Sequence, residues 1–149
     1  MRRWMIGSAA VVAAAAGLAA WLVVANPAPR VPADPSGAAA SSAPYVVKLH
    51  ARWCPVCMTT KGQWAEVQQA YAGRVRFAVF DFTTEETTAR SRVEAVALGL
   101  GAVFDEYVGE TGTVLVLDGA THDVRDAIHG TRAVEDYRTA IDAALAHAR

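Results

Sequence analysis

From residue 45 onward the chain alternates between strand-like and helix-like apolar patterns. Tyr45-Val46-Val47-Lys48-Leu49 is β-rich and nearly all apolar, the pattern of a buried strand. After Cys57, Trp64, Val67 and Tyr71 recur at helical spacing, and Gly73 follows as a stop signal. Residues 75–80, VRFAVF, form the next strand. Thr83-Thr84-Glu85-Glu86 fits a capping box with Thr83 as N-cap and Glu86 at the third helical position. Val93, Val96, Ala97 and Leu100 then mark the apolar face of a helix, and Gly99, Gly101 and Gly109 break up the segment beyond it. A second short helix fits near residues 104–107. Thr113–Leu117 is a third strand, Asp118-Gly119 a turn signal, and Val124–His129 a returning antiparallel strand. Gly130 ends that strand, and Thr131 caps a last helix with Val134, Tyr137, Ile141 and Leu145 on one face.

The order is β-α-β-α-β-β-α. A helix joins the first two strands, so they are expected to be parallel with a right-handed crossover. The last two form a hairpin. A four-stranded mixed sheet with helices on both faces accommodates every apolar stripe, so residues 44–149 read as one α/β domain.

The N-terminal end differs in character. Residues 4–25 carry no charge and follow Arg2 and Arg3. A membrane-spanning helix needs about 20 apolar residues, whereas the core of a signal peptide has about 7–15. Length therefore favours an uncleaved transmembrane anchor. Val23-Val24-Ala25 is a tolerable small-residue cleavage site, so export and release after Ala25 is the alternative. In both cases the positive-inside rule leaves the N-terminus in the cytoplasm and everything after Ala25 outside. Residues 26–43 hold four of the six prolines, with Ser, Gly and Ala, and read as a linker with a reach of roughly 50 Å. Net charge is −1, so no basic field points to nucleic acid.

The chemistry centres on Cys54 and Cys57, the only two cysteines in the chain. A Cys-x-x-Cys between a strand and a helix puts the first sulfur beside unpaired helix N–H groups, which stabilise a thiolate. The thiolate is the attacking species in disulfide exchange, and a second cysteine one turn away can resolve the mixed disulfide. Pro55 lacks an N–H and suits the first helical turn.

Trp53-Cys54-Pro55-Val56-Cys57, the strand before it and the element order resemble the thioredoxin-like fold over essentially all of residues 44–149. Trp directly before the pair is a more specific signal than Cys-x-x-Cys alone. The resemblance implies a thiol–disulfide oxidoreductase with Cys54 as exposed nucleophile and Cys57 as buried resolver. It also implies protein thiols or disulfides as partners, and a membrane electron donor as a candidate one. The motif is similar to that of membrane-anchored reductases serving cytochrome c assembly. Three departures stand out. Gly112, after Glu110 and Thr111, occupies the place where the family usually has a cis-proline, which would leave a more mobile groove carrying an N–H. Lys48 stands where thioredoxins have a buried acid; its stem is expected to carry the charge to solvent, the alternative being a charge or base acting on the thiols. The helical segment before Gly112 is long and is expected to form a lip over the site. Trp53, Pro55, Thr111 and Gly112 are thus the candidate groove residues, with Lys48 and His50 as candidate tuning residues.

The rival reading is a metal-binding or metal-delivery module using Cys54, Cys57 and His50 as a third ligand. No second Cys-x-x-Cys or paired histidine completes a tetrahedral set, so no metal is assigned, and no cofactor either. A structural disulfide would close only a tiny loop, with little gain in chain entropy. His50 either tunes the thiolate or merely ends the strand, the latter being favoured. His122, His129 and His147 read as turn, strand-end and tail residues, Trp64 and Tyr71 as core. Glu106 and Glu110 precede Gly112 and can face the site, though loop carboxylates are mostly solvated. Arg74, Arg76, Arg90 and Arg92 read as solvated faces.

Overall fold

Two adjacent strands, β1 (Tyr45–His50) and β3 (Thr113–Leu117), are buried along almost their whole length. They are the inner pair of a four-stranded sheet with order β2-β1-β3-β4. The computed structural model describes residues 42–130 and 133–148, all within one unit, Pro35–Arg149. The proposed anchor and most of the linker lie outside the described residues. Among those described, no helix is long and apolar enough to cross a membrane.

The outer strands are β2 (Arg76–Asp81) and β4 (Val124–His129). β1 pairs parallel with β2 and β3 antiparallel with β4, as the element order predicts, and β1 pairs antiparallel with β3. The helices are α1 (Pro55–Thr59), α2 (Lys61–Ala70), α3 (Glu85–Ala97), α4 (Gly101–Glu106) and α5 (Val134–His147).

Side chains alternate across a strand, and β1 feeds two cores. Tyr45, Val47 and Leu49 join Phe80, Phe104, Leu115 and Leu117 on the face covered by α3 and α4. Val46 joins Val67, Tyr71, Val114, Val116, Tyr137 and Ile141 on the face covered by α2 and α5. A strand covered on both faces has no room for polar alternation, which is why Lys48 stands out.

Four expectations need correction. The expected single helix after Cys57 is two pieces, α1 and α2, meeting at Thr60 (φ −91°, ψ 7°). The cap of α3 is Thr84, not Thr83: its hydroxyl accepts the Thr87 N–H at 3.1 Å, while the Thr87 hydroxyl accepts the Thr84 N–H at 2.9 Å. Two hydroxyls thus form the reciprocal box, leaving Thr83 free for another task. The buried face of α3 is Ser91 and Ala95, whereas Val93 and Val96 point to solvent. α3 packs on β2 through small residues: the Ser91 hydroxyl accepts the Asp81 N–H at 2.8 Å. Finally, α5 has Ala133 as its N-cap without a side-chain bond; Thr131 lies outside the described residues.

Arg76 is also not a solvated arginine. Its guanidinium donates to the carbonyls of Ala43 and Gly119 and lies 3.8 Å from the Tyr45 ring centroid. It ties the entry to β1 to the β3–β4 turn, at the end of the sheet away from the cysteines. Arg74, Arg90 and Arg92 do sit on exposed faces, paired with Asp142, Glu86 and Asp105.

Candidate redox site

β1 delivers the chain to the site. At its end Ala51 is fully buried and its carbonyl accepts the Cys54 N–H at 3.2 Å. That turn leaves Cys54 in an extended conformation (φ −83°, ψ 115°) as the N-cap of α1, with Pro55 in the first turn. In this position its sulfur accepts the Cys57 N–H at 3.2 Å, an N–H with no earlier carbonyl to bond. α1 is too short for an appreciable macrodipole, so the local N–H groups carry the effect.

The two sulfurs are electrostatically unequal. Burial pushes the Cys54 thiol up. Hydrogen bonds from the Cys57 side chain, the Cys57 amide, the Thr111 hydroxyl and the Val56 amide outweigh burial and bring it below the ordinary thiol value. Burial pushes Cys57 up as well, and its hydrogen bond to Cys54 and the charge on Cys54 add to the rise, against smaller opposing effects of Ala51 and Lys48. Cys54 is therefore the better thiolate and Cys57 the retained proton. Both are free thiols. Cys54 is only 4% exposed and Cys57 2%, so the expected exposed nucleophile is in fact covered.

What covers it is the turn before β3. Gly112 has φ +86°, a left-handed conformation open to glycine without penalty. A Cβ built there would lie 3.0 Å from Val56 Cγ1 and 3.5 Å from Cys54 Sγ. The N–H that Gly112 carries in place of a proline donates to the Leu49 carbonyl at 2.9 Å. The same carbonyl oxygen lies 3.8 Å from Cys57 Sγ as acceptor. Thr111, Gly112 and Leu49 thus join the Cys pair in one contact set.

Trp53 stands at the rim, 62% exposed. Its indole N–H donates to the Thr83 carbonyl at 3.3 Å, and the Arg52 N–H to the Thr83 hydroxyl at 3.0 Å. Thr83 is in turn held by Asp81, which accepts its N–H at 2.8 Å and its hydroxyl. Asp81 is the register partner of His50. Burial raises the Asp81 carboxyl, but the two Thr83 bonds and the charges of His50 and Arg52 hold it below the usual value. The site is therefore built from three segments: the end of β1 with α1, the β2–α3 loop, and the turn before β3.

A thioredoxin family model matches residues 36–97, the part of the chain that carries β1, both cysteines, α1, α2, β2 and α3. Over those residues the chain is similar to thioredoxin, and the α/β fold with its mixed four-stranded sheet is thioredoxin-like. Its fold is similar to solved structures of low sequence identity. StoA from Bacillus subtilis is 14% identical (TM-score 0.48), the match covering 66% of this chain and 82% of that one. MTB dsbF, in mixed oxidized and reduced forms, is 16% identical (TM-score 0.49; 69% and 81% covered). A thiol:disulfide interchange protein of the thioredoxin family from Chlorobium tepidum is 24% identical (TM-score 0.47; 74% and 84% covered). No curated protein is a significant relative of the chain.

Within this thioredoxin-like domain the remaining candidates separate. Lys48 is 6% exposed, with Nζ 5.4 Å from the Trp64 ring centroid. Burial lowers its affinity for a proton, and the two cysteines raise it. His50 ends β1 half-buried, with Nδ1 lacking a hydrogen-bond partner. Burial lowers its pKa, Lys48 and Arg52 add to that, and Asp81 opposes them. No three of His, Cys, Asp or Glu converge on a metal-sized site among the described residues, so His50 does not complete a ligand set with the cysteines. α4 packs Val103 and Phe104 into the core, while Glu106 and Glu110 are exposed, so that segment supplies the turn carrying Thr111 and Gly112 rather than a lip of carboxylates. His122, His129 and His147 bond Gly99, Thr113 and Ala143 respectively, in turn, strand-end and tail positions.

Sequence reading missed Asp81 and Thr83. The signal was present in Asp81-Phe82-Thr83, an acid two residues before a threonine at a strand end, but the capping pattern absorbed Thr83.

Proposed function

We propose that this chain is a thiol–disulfide oxidoreductase acting on protein disulfides or dithiols outside the cytoplasm, held at the membrane by residues 4–25. The observation that carries the redox reading is the inequality of the two sulfurs: Cys54 accepts hydrogen bonds at a helix start, and Cys57 is buried behind it. That is the asymmetry disulfide exchange requires, an attacker ionised first and a resolver that keeps its proton until needed. Trp53, Val56 and Gly112 form the surface a partner sulfur meets. The external location is supported by Arg2 and Arg3 before the uncharged run.

The test uses the full chain with Cys57→Ser. Mixed with insulin, it is expected to accumulate a covalent adduct through Cys54, reversed by dithiothreitol. Absence of an adduct, with stoichiometric zinc or copper kept by the wild type, would sink the redox reading in favour of a metal module. For location, alkaline phosphatase fused after residue 43 should be active, since it matures only where disulfides form.

A further inference from the structure

Lys48 is the one buried side chain of a charged residue type among the described residues; the other buried polar side chains are the hydroxyls of Thr60, Ser91 and Thr113. It forms no salt bridge there. Its strand neighbours are apolar, Val79 on β2 and Val114 on β3. α2 presents the Trp64 ring. The titratable groups that act on it are Cys57 first and Cys54 second, and it acts in turn on His50 of its own strand. A largely buried lysine is normally paired, and no carboxylate pairs with this one among the described residues. The negative charge that acts on it is that of the cysteine pair, and the carbonyl of Leu49, the next residue along β1, lies 3.8 Å from Cys57 Sγ.

We propose that Lys48 is the counter-charge of the Cys57 thiolate at the resolving step. This rests on the exchange reading above. In the mixed disulfide Cys54 is bonded to the substrate sulfur and carries no charge, so the help it received from Cys57 is gone. Cys57 must then release its proton to water. Its thiolate forms opposite the Lys48 ammonium and attacks Cys54 Sγ. The Cys54–substrate bond breaks, the substrate sulfur leaves as a thiolate, and the Cys54–Cys57 disulfide forms. Two electrons pass from the dithiol to the substrate disulfide, and Lys48 keeps its proton throughout. Lys48 is a positioning residue: its charge acts on the substrate only through Cys57.

The experiment prepares the full-length mixed disulfide between Cys54 and glutathione, then follows release of glutathione against pH. In Lys48→Met, release at neutral pH should slow by about tenfold, with its pH midpoint moved about one unit higher. Lys48→Arg should restore both, because the charge and not the amine is what matters. Attack by Cys54, measured separately in Cys57→Ser with and without Lys48→Met, should change less. Lys48→Gln serves as a second neutral variant, and urea unfolding establishes that each is folded. A folded Lys48→Met or Lys48→Gln that resolves with the wild-type pH profile overturns the proposal, as does a Lys48→Arg variant as slow as Lys48→Met. Failure of Cys57→Ser to form any adduct is a different result; it removes the exchange reading, and this role with it.

Discussion

The Leu49 carbonyl oxygen accepts the Gly112 N–H at 2.9 Å. It joins the last buried residue of β1 to the turn that leads into β3, and the same oxygen faces Cys57 Sγ at 3.8 Å. One main-chain atom therefore fixes the distance between Cys57 and the wall that covers Cys54.

Gly112 should tolerate substitution poorly. Alanine there must hold φ near +86° and press on Val56, so Gly112→Ala should cost about 1–3 kcal/mol by urea unfolding. Gly112→Pro should cost more and slow exchange, because proline is fixed near φ −65° and has no N–H for Leu49. An unchanged urea midpoint in Gly112→Ala would mean that the turn is not held as described.

The Thr111 hydroxyl should be visible in the reactivity of Cys54. It is one of the bonds that outweigh burial and lower that thiol. Removing a donor to the charged form raises the pKa. Iodoacetamide alkylation of Thr111→Val should need higher pH than wild type, and Thr111→Ser should restore the profile.

Asp81 should contribute to acid stability. Its folded pKa lies below its ordinary value. The stabilisation is thus fully present above about pH 4, the unfolded carboxylate value, and is lost as pH falls through the lower folded value. Asp81→Asn should flatten the acid limb of a plot of urea midpoint against pH. It should also loosen Trp53, read as a red shift of fluorescence relative to wild type.

The core beneath α3 and the outer face of that helix should respond oppositely. Phe80 is fully buried under that layer, edge-on to Phe104 at 5.3 Å between centroids. Phe80→Ala should cost about 3–5 kcal/mol. Val93→Ser and Val96→Ser, on the exposed side, should each change stability by less than about 0.5 kcal/mol. A large loss at Val93 would reverse the orientation given for this helix.

These residues also mark where sequence was legible. β1 and β3 could be read because burial on both faces forces an unbroken apolar run, and the parallel pairing followed from the helix between β1 and β2. The cysteine chemistry was legible because its two residues lie within one turn of each other in sequence. α3 was misread because it packs through Ser91 and Ala95, so its valines mimic a core face. The burial of Lys48 and the tasks of Thr83 and Asp81 depend on contacts between segments roughly 30 residues apart, which no local period encodes.

Gly112 has a consequence for how partner choice can diversify. At Gly112 the wall beside the Cys54 sulfur is bare main chain, so no side chain can be added there without straining the turn. Variation at this site is left to the side chains around that glycine, the exposed indole of Trp53 and the half-buried Val56.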